Sequence, residues 1–139
     1  MNITIINGPN LNLQGKREVE VYGNGTFEEL LSSLRQRYRD VDFEYFQSNV
    51  EGEIINKLQE VGFSADGIVL NAGGYSHTSV SIRDTVAAIT SRVVEVHISN
   101  VFAREEFRRQ SLLGSVCVGS ICGFGLDGYR LAVEALRGQ

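Results

Sequence analysis

Glu95 and His97 stand two residues apart inside a β-branched run formed by Val93, Val94, Val96 and Ile98. Such a run suits a buried parallel strand, and on a strand residues two apart emerge on one face. A carboxylate beside an imidazole fixes the ring's tautomer and raises its proton affinity, which is how a general acid is prepared. Ser99 and Asn100 follow, then an arginine-rich turn that ends at Arg108. Taken alone, the pair reads more readily as an internal ion pair at a strand end. The other polar clusters of the chain shift that balance.

Asn7-Gly8-Pro9-Asn10 closes the first apolar run, and Asn71 closes another, followed by Gly73-Gly74 and Tyr75-Ser76-His77. These residues, with Glu95, His97 and Ser99, supply proton chemistry and hydrogen bonding. His97 can give or take a proton, Asn10 and Asn71 can hold hydroxyls or an enolate oxygen, and the Ile98 and Ser99 amides can bind a carboxylate. Tyr22 adds a further group, with Lys16 and Arg17 upstream. Tyrosine is a base only as tyrosinate, and bringing a pKa of about 10 near neutrality takes roughly 4 kcal/mol. A guanidinium in a water-excluded site supplies energy of that order. On its own, Tyr22 reads as a loop aromatic packed on the surface beside a solvated charge run.

The elements that must position these groups alternate along the chain. Asn2 to Asn7 is a short β-branched strand. From Gly8 to Gly25 no apolar period is visible, and an irregular segment of that length suits a lid or binding loop. Thr26 with Glu29 makes a capping box ahead of a helical face of Phe27, Leu30, Leu31, Leu34 and Tyr38. Val41, Phe43 and Tyr45 alternate with acids, as on an edge strand with one wet face. Ser48 and Glu51 repeat the capping-box spacing before a second helix, ended by Gly62. Asp66 to Asn71 reads as a central strand, and Ile82, Thr85, Val86 and Ile89 as a third helix. A short helix is expected around Ala103 to Arg108, a last buried strand over Val116 to Ile121, and a final helix after Gly123 and Gly125. The pattern predicts one α/β domain over residues 1–139: a three-layer, flavodoxin-like sandwich with a five-stranded parallel sheet in the order 2-1-3-4-5. In that order strands one, three and four are neighbours, so their carboxyl ends and both histidines of the chain share one crevice.

Composition narrows the classes further. The 139 residues are 42% hydrophobic and 22% charged, with a formal net charge of -4 and no Lys/Arg block, which argues against a nucleic-acid surface. No apolar run approaches a membrane span, and the N-terminus lacks the pattern of a secretion signal. Cys117 and Cys122, five apart in an apolar run, would face opposite ways on one strand and not bridge, which suits a reducing, cytoplasmic setting. Gly-x-x-x-x-Gly-Lys-Ser/Thr, Gly-x-Gly-x-x-Gly and Gly-x-Ser-x-Gly are all absent. Two histidines without Cys or carboxylate at ligand spacing argue against zinc, so neither a metal nor a cofactor is expected.

Taken together, Ile6-Asn-Gly-Pro-Asn-Leu-Asn-Leu13, Gly15-Lys-Arg-Glu18, Val21-Tyr-Gly23, Gln47-Ser-Asn49, Asn71-Ala-Gly-Gly-Tyr-Ser-His-Thr-Ser79, Glu95-Val-His-Ile-Ser-Asn100 and Ala103-Arg-Glu-Glu-Phe-Arg108 resemble the type II 3-dehydroquinate dehydratases. The resemblance runs nearly end to end and is specific in combination. It implies elimination of water from 3-dehydroquinate through an enolate, on the shikimate or quinate pathway. Tyr22 would take the C2 proton, with Arg17 favouring its anion, and Asn10 would help hold the enolate oxygen. His97, oriented by Glu95, would protonate the departing hydroxyl. Asn71, His77, Arg108, Ser99 and the Ile98 amide would bind substrate, with Asp84 serving either its own site or a neighbour's. The family assembles as trimers grouped into dodecamers. Two positions depart from its usual pattern: Val19, where a proline is usual, and Phe102, where histidine is frequent.

Two other readings compete on the residues themselves. A flavodoxin-like receiver or anion-binding module would need no Glu/His pair and, as a receiver, would want acids after strand one, where Asn7, Gly8 and Asn10 stand. A structural subunit would carry its strand-end polar groups merely as ion pairs.

Overall fold

The computed structural model describes residues 1–14 and 26–138. Five strands, β1 (Asn2–Asn7), β2 (Asp42–Gln47), β3 (Gly67–Asn71), β4 (Arg92–His97) and β5 (Gly119–Cys122), form one sheet in the order β2-β1-β3-β4-β5. Every neighbouring pair is parallel, with Asn7 aligned to Asn71 and Leu70 to Glu95. This is the fold and strand order expected from the sequence. The most uniformly apolar strands, β1 and β3, lie inside the sheet, while the acid-bearing β2 forms an edge.

Parallel pairing requires crossovers, and three α-helices supply the first three of the four: α1 (Phe27–Arg37), α2 (Glu51–Val61) and α3 (Val80–Ala88); 3-10 turns carry the chain from β4 to β5, and α4 (Asp127–Arg137) follows the last strand. Because side chains alternate along a strand, each strand feeds two cores. Ile3, Ile5, Val69, Val94 and Val96 face α1 and α4, where Leu34, Tyr129 and Leu136 pack. Ile6, Ile68, Leu70 and Val93 face α2 and α3, against Ile54, Leu58 and Ile82. Each such apolar side chain taken fully from water contributes about 1.5–3 kcal/mol, so the two cores clamp the sheet between its helices from both sides.

The helix starts follow local chemistry. Thr26 caps α1, its hydroxyl accepting from the Glu29 amide at 3.2 Å, and Ser79 caps α3 in the same way through Ile82 at 2.9 Å. The expected box at Ser48 and Glu51 does not form. Val50 is the N-cap of α2, and the Ser48 hydroxyl instead donates to Glu53 while accepting from the Val50 amide. The spacing suits a cap, but the helix begins later and Ser48 stands two residues ahead of the N-cap.

Two further expectations are corrected. Between Ala103 and Arg108 the chain forms two 3-10 turns, Val101–Ala103 and Glu106–Arg109, separated by Arg104 in an extended conformation. The last strand is shorter and later than Val116 to Ile121. Gly114–Val116 is a 3-10 turn, and β5 is a half-exposed edge spanning Gly119–Cys122. Cys117 therefore precedes the strand that holds Cys122, and both thiols are free. No helix among the described residues is long and apolar enough to cross a membrane.

Candidate active site

The carboxyl ends of β1, β3 and β4 meet because the chain reverses direction of winding between β1 and β3. At that point lies a cleft of about 190 Å³. Asn10, Asn71, His77 and His97 line it, together with Ile98, Ser99 and Arg108. The segment after β1 reaches the cleft by passing close under the end of β3. A Cβ on Gly8 would stand 2.5 Å from the Ala72 carbonyl oxygen, so only glycine allows this approach. The Gly8 amide donates to the Asn71 carbonyl at 2.7 Å and fixes the two strand tips to each other.

Asn10 then adopts a left-handed conformation, φ 71°, the one non-glycine residue with positive φ among those described. Asparagine tolerates this region better than most residues. Its amide donates to Asn49 Oδ1 at 3.0 Å, and Gln47 Nε2 donates to both the Gly8 carbonyl and Asn49 Oδ1. The end of β2 thus braces the turn that carries Asn10. Of the irregular segment expected from Gly8 to Gly25, the first part is this turn and a 3-10 turn, Leu11–Leu13, whose Leu11 is buried. Tyr22, Arg17 and Lys16 lie outside the described residues.

Asn71 is buried and fully oriented. Its Nδ2 donates to the Tyr129 hydroxyl at 2.9 Å, and its Oδ1 accepts from the Gly73 amide at 3.1 Å. Tyr129 in turn donates to Asn7 Oδ1 at 2.8 Å. Complete burial pushes the Tyr129 hydroxyl well above the ordinary phenol range, so it acts here as a neutral relay. Tyr129 read in the sequence as a core residue of the last helix, and only the topology reveals that its hydroxyl lies between Asn7 and Asn71.

Glu95 is 1% exposed, yet its carboxylate is fully supplied with donors. His97 Nε2 lies 2.9 Å from Oε2, Ser111 Oγ donates to the same oxygen at 2.5 Å, and Ser120 Oγ donates to Oε1 at 2.7 Å. Burial alone pushes this carboxyl upward, but the hydrogen bonds from His97, Ser111 and Ser120 and the His97 charge outweigh it. The group is held below the usual carboxylate range. An ionised carboxylate only accepts, so His97 carries its proton on Nε2 and presents Nδ1, which has no protein partner among the described residues. His77 is fixed the other way round, with Nδ1 donating to the Gln110 carbonyl at 2.6 Å. Its ring stacks on that of His97 at 6.0 Å and 23°. Neither Ser111 nor Ser120 carries a motif in the sequence; the parallel register of Glu95 with Ser120 is the signal that finds the second.

Arg108 and Arg104 complete the cleft on its cationic side. The Arg108 guanidinium lies 4.8 Å over the Phe107 ring with Nε 3.2 Å from Glu105. Arg104, which no spacing argument singled out, reaches Ser99 Oγ at 3.2 Å. Asp84 does not line this cleft; it is an exposed residue of α3 beside Arg83. Among the described residues no three of His, Cys, Asp or Glu gather as a metal site would need. The arrangement is therefore one oriented imidazole with a buried carboxylate behind it, a second imidazole against it, amides for hydroxyls and guanidinium groups for a negative charge. It suits proton transfer on a small, polar, anionic molecule.

Comparison with known proteins agrees with this geometry. The family model described as "Dehydroquinase class II" matches residues 1–137. Proteins named 3-dehydroquinate dehydratase from Campylobacter jejuni subsp. jejuni and from an Exiguobacterium species are 51% and 52% identical, each over 98% of this chain, and covered over 87% and 94% of their own lengths. The crystal structure of a type II dehydroquinase from Butyrivibrio crossotus superposes with a TM-score of 0.94 at 47% identity, covering 99% of this chain and 97% of that one. The two imidazoles at the strand tips and the match along nearly all of the sequence lead to one conclusion: the chain belongs to the class II dehydroquinases.

Proposed function

We propose that this chain is a 3-dehydroquinate dehydratase, a hydro-lyase of the shikimate pathway that removes water from 3-dehydroquinate to give 3-dehydroshikimate. The observation that carries the reading is the oriented pair at the strand tips: His97, with Nε2 on the buried Glu95 carboxylate, presents Nδ1 at a cleft that also holds His77, Asn10 and Asn71. In this reading the Tyr22 oxyanion takes the C2 proton and the ketone becomes an enolate. Arg17 favours the tyrosinate, and Asn10 helps hold the enolate oxygen. The enolate then collapses, the carbon–oxygen bond breaks, and His97 as the imidazolium gives the departing hydroxyl its Nδ1 proton, so that water leaves and an enone remains. Asn71, His77, Ser99, the Ile98 amide and Arg108 bind the substrate's hydroxyls and carboxylate, and Asp84, away from its own cleft, serves a neighbouring subunit.

The elimination runs directly through the enolate rather than through an imine on lysine. Lys57 supports this, because its ammonium is held by Glu44 at 2.5 Å and Glu60 at 2.9 Å beside the edge strand. Residues 1–139 act as one catalytic domain with a lid over about residues 8–25, assembled as trimers within a dodecamer in the cytoplasm. The free cysteines suit that reducing setting.

Adding 3-dehydroquinate and following the ultraviolet absorbance of the conjugated enone tests the activity, and no absorbance rise would sink it. Borohydride added during turnover should leave the protein's mass unchanged; a reduced adduct would point to the imine route. Tyr22→Phe should lower turnover by about a hundredfold or more.

A further inference from the structure

Ser111 holds the Glu95 carboxylate by a hydrogen bond whose direction is fully determined. The backbone amides of Leu113 and Gly114 both donate to Ser111 Oγ, each at 3.1 Å. A hydroxyl has two acceptor sites and one proton. With both acceptor sites filled, the proton is left for Glu95 Oε2, 2.5 Å away. That oxygen also faces His97 Nε2. Ser111 therefore cannot accept from Glu95, and Oε2 of the ionised carboxylate accepts from both neighbours.

The segment bearing Ser111 reaches the second imidazole too. The Gln110 carbonyl accepts from His77 Nδ1, and the Leu112 amide donates to the Ser76 carbonyl at 2.8 Å. Leu113, wholly buried against the α2 and α3 side of the sheet, anchors the segment in the core. One strap of four residues, 110–113, thus touches His77 directly and His97 through its partner Glu95. Ser120 differs: its hydroxyl donates to Glu95 Oε1 from a half-exposed edge strand.

We propose that Ser111 is a positioning residue for His97. It orders Glu95 as a pure acceptor, so that His97 keeps its proton on Nε2 and turns Nδ1 to the cleft, in register with the His77 that Gln110 aligns. The inference rests on the dehydratase reading of the cleft. Among the described residues, the titratable groups facing Glu95 are His97 on its own strand and the Cys117 thiol, which burial and Glu95 push up to about 12. Neither can replace the donor that Ser111 supplies.

The test compares wild-type protein with Ser111→Ala and Ser111→Thr, assayed with 3-dehydroquinate across pH. Ser111→Ala should lower kcat about tenfold or more, as expected for loss of a hydrogen bond to a buried charge, with KM within about twofold. With one donor fewer, Glu95 takes up a proton more readily, so the acidic limb of kcat should move to higher pH. Ser111→Thr keeps the hydroxyl and should restore both kcat and the limb. If Ser111→Ala does not fold, Ser111→Cys fills the space while offering only a weak donor, and the same loss and shift are expected of it. Unchanged kcat, or a fall in kcat and thermal stability with the limb unmoved, overturns the positioning role. Wild-type protein without turnover would instead overturn the dehydratase reading beneath it.

Discussion

The imidazoles of His77 and His97 lie ring over ring, and each is gripped by an oxygen at a different nitrogen, Nδ1 in His77 and Nε2 in His97. The two rings are therefore opposite tautomers when neutral. One presents Nε2 to its surroundings and the other Nδ1, so they offer a ligand two differently placed nitrogens from one stack.

This difference separates what their neighbourhoods do. His97→Ala removes the proposed acid and should lower kcat by about a hundredfold or more with a small change in KM. Arg108→Ala removes the charge proposed to bind substrate without transferring a proton, so KM should rise by more than kcat falls. Steady-state kinetics on the two variants checks the contrast. Near wild-type turnover in His97→Ala would assign the acid role elsewhere.

Acid stability should depend on Glu95. Its folded carboxyl is held below its ordinary value of 4.5 by His97, Ser111 and Ser120, against the opposing effect of burial. A depressed carboxyl adds stability that is complete above the unfolded value and is lost as pH falls through the folded one. Glu95→Gln should therefore lower Tm at pH 7, and the gap to wild type should close as pH drops below about 4.5. Melting curves at several pH values measure it. A gap that stays constant would mean the carboxylate contributes no linkage.

Tyr129→Phe keeps the packing of the ring and removes the link between Asn7 and Asn71. The two buried amides lose a partner each, which should lower stability by about 1–3 kcal/mol. Asn71 also loses the bond that aims it, so KM should rise. Denaturant unfolding and kinetics on one preparation report both effects, and full stability with unchanged KM would show the relay to be idle.

Gly8→Ala should be costly without touching any side chain of the cleft. The new methyl would meet the Ala72 backbone at 2.5 Å, and neither partner is a flexible side chain. Forcing the tips of β1 and β3 apart should cost about 1–3 kcal/mol and lower Tm accordingly. An unchanged Tm would mean the turn relaxes freely.

Much of this is legible in the sequence. The β-branched runs at Ile3 to Ile6 and Ile68 to Leu70 announce buried strands, and the acids in β2 announce an edge. Thr26 and Glu29 announce the start of α1 through chemistry that needs only four residues. The switch-point rule then brings Asn10, Asn71, His77 and His97 together without any contact being known. Legibility ends where long-range pairing decides. Val116 and Cys117 look like strand residues, yet a 3-10 turn runs to Val116, the first bond to β4 is that of the Val118 amide to the Val93 carbonyl, and the strand register starts at Gly119 opposite Val94. Ser111, Ser120 and Tyr129 carry ordinary side chains whose importance comes from where the sheet places Glu95 and Asn71.

The strand order also bears on how the chain matures. β1 is made first but sits at an interior position, where Ile3 aligns with Phe43 on one side and Gly67 on the other. A nascent chain that has not yet reached β3 carries a β-branched ribbon with an unpaired edge, the kind of surface that associates with other chains. Synthesis past Asn71 is the first moment at which that ribbon can be enclosed. Interruptions of translation before that point should yield aggregating fragments, and those after it more compact ones.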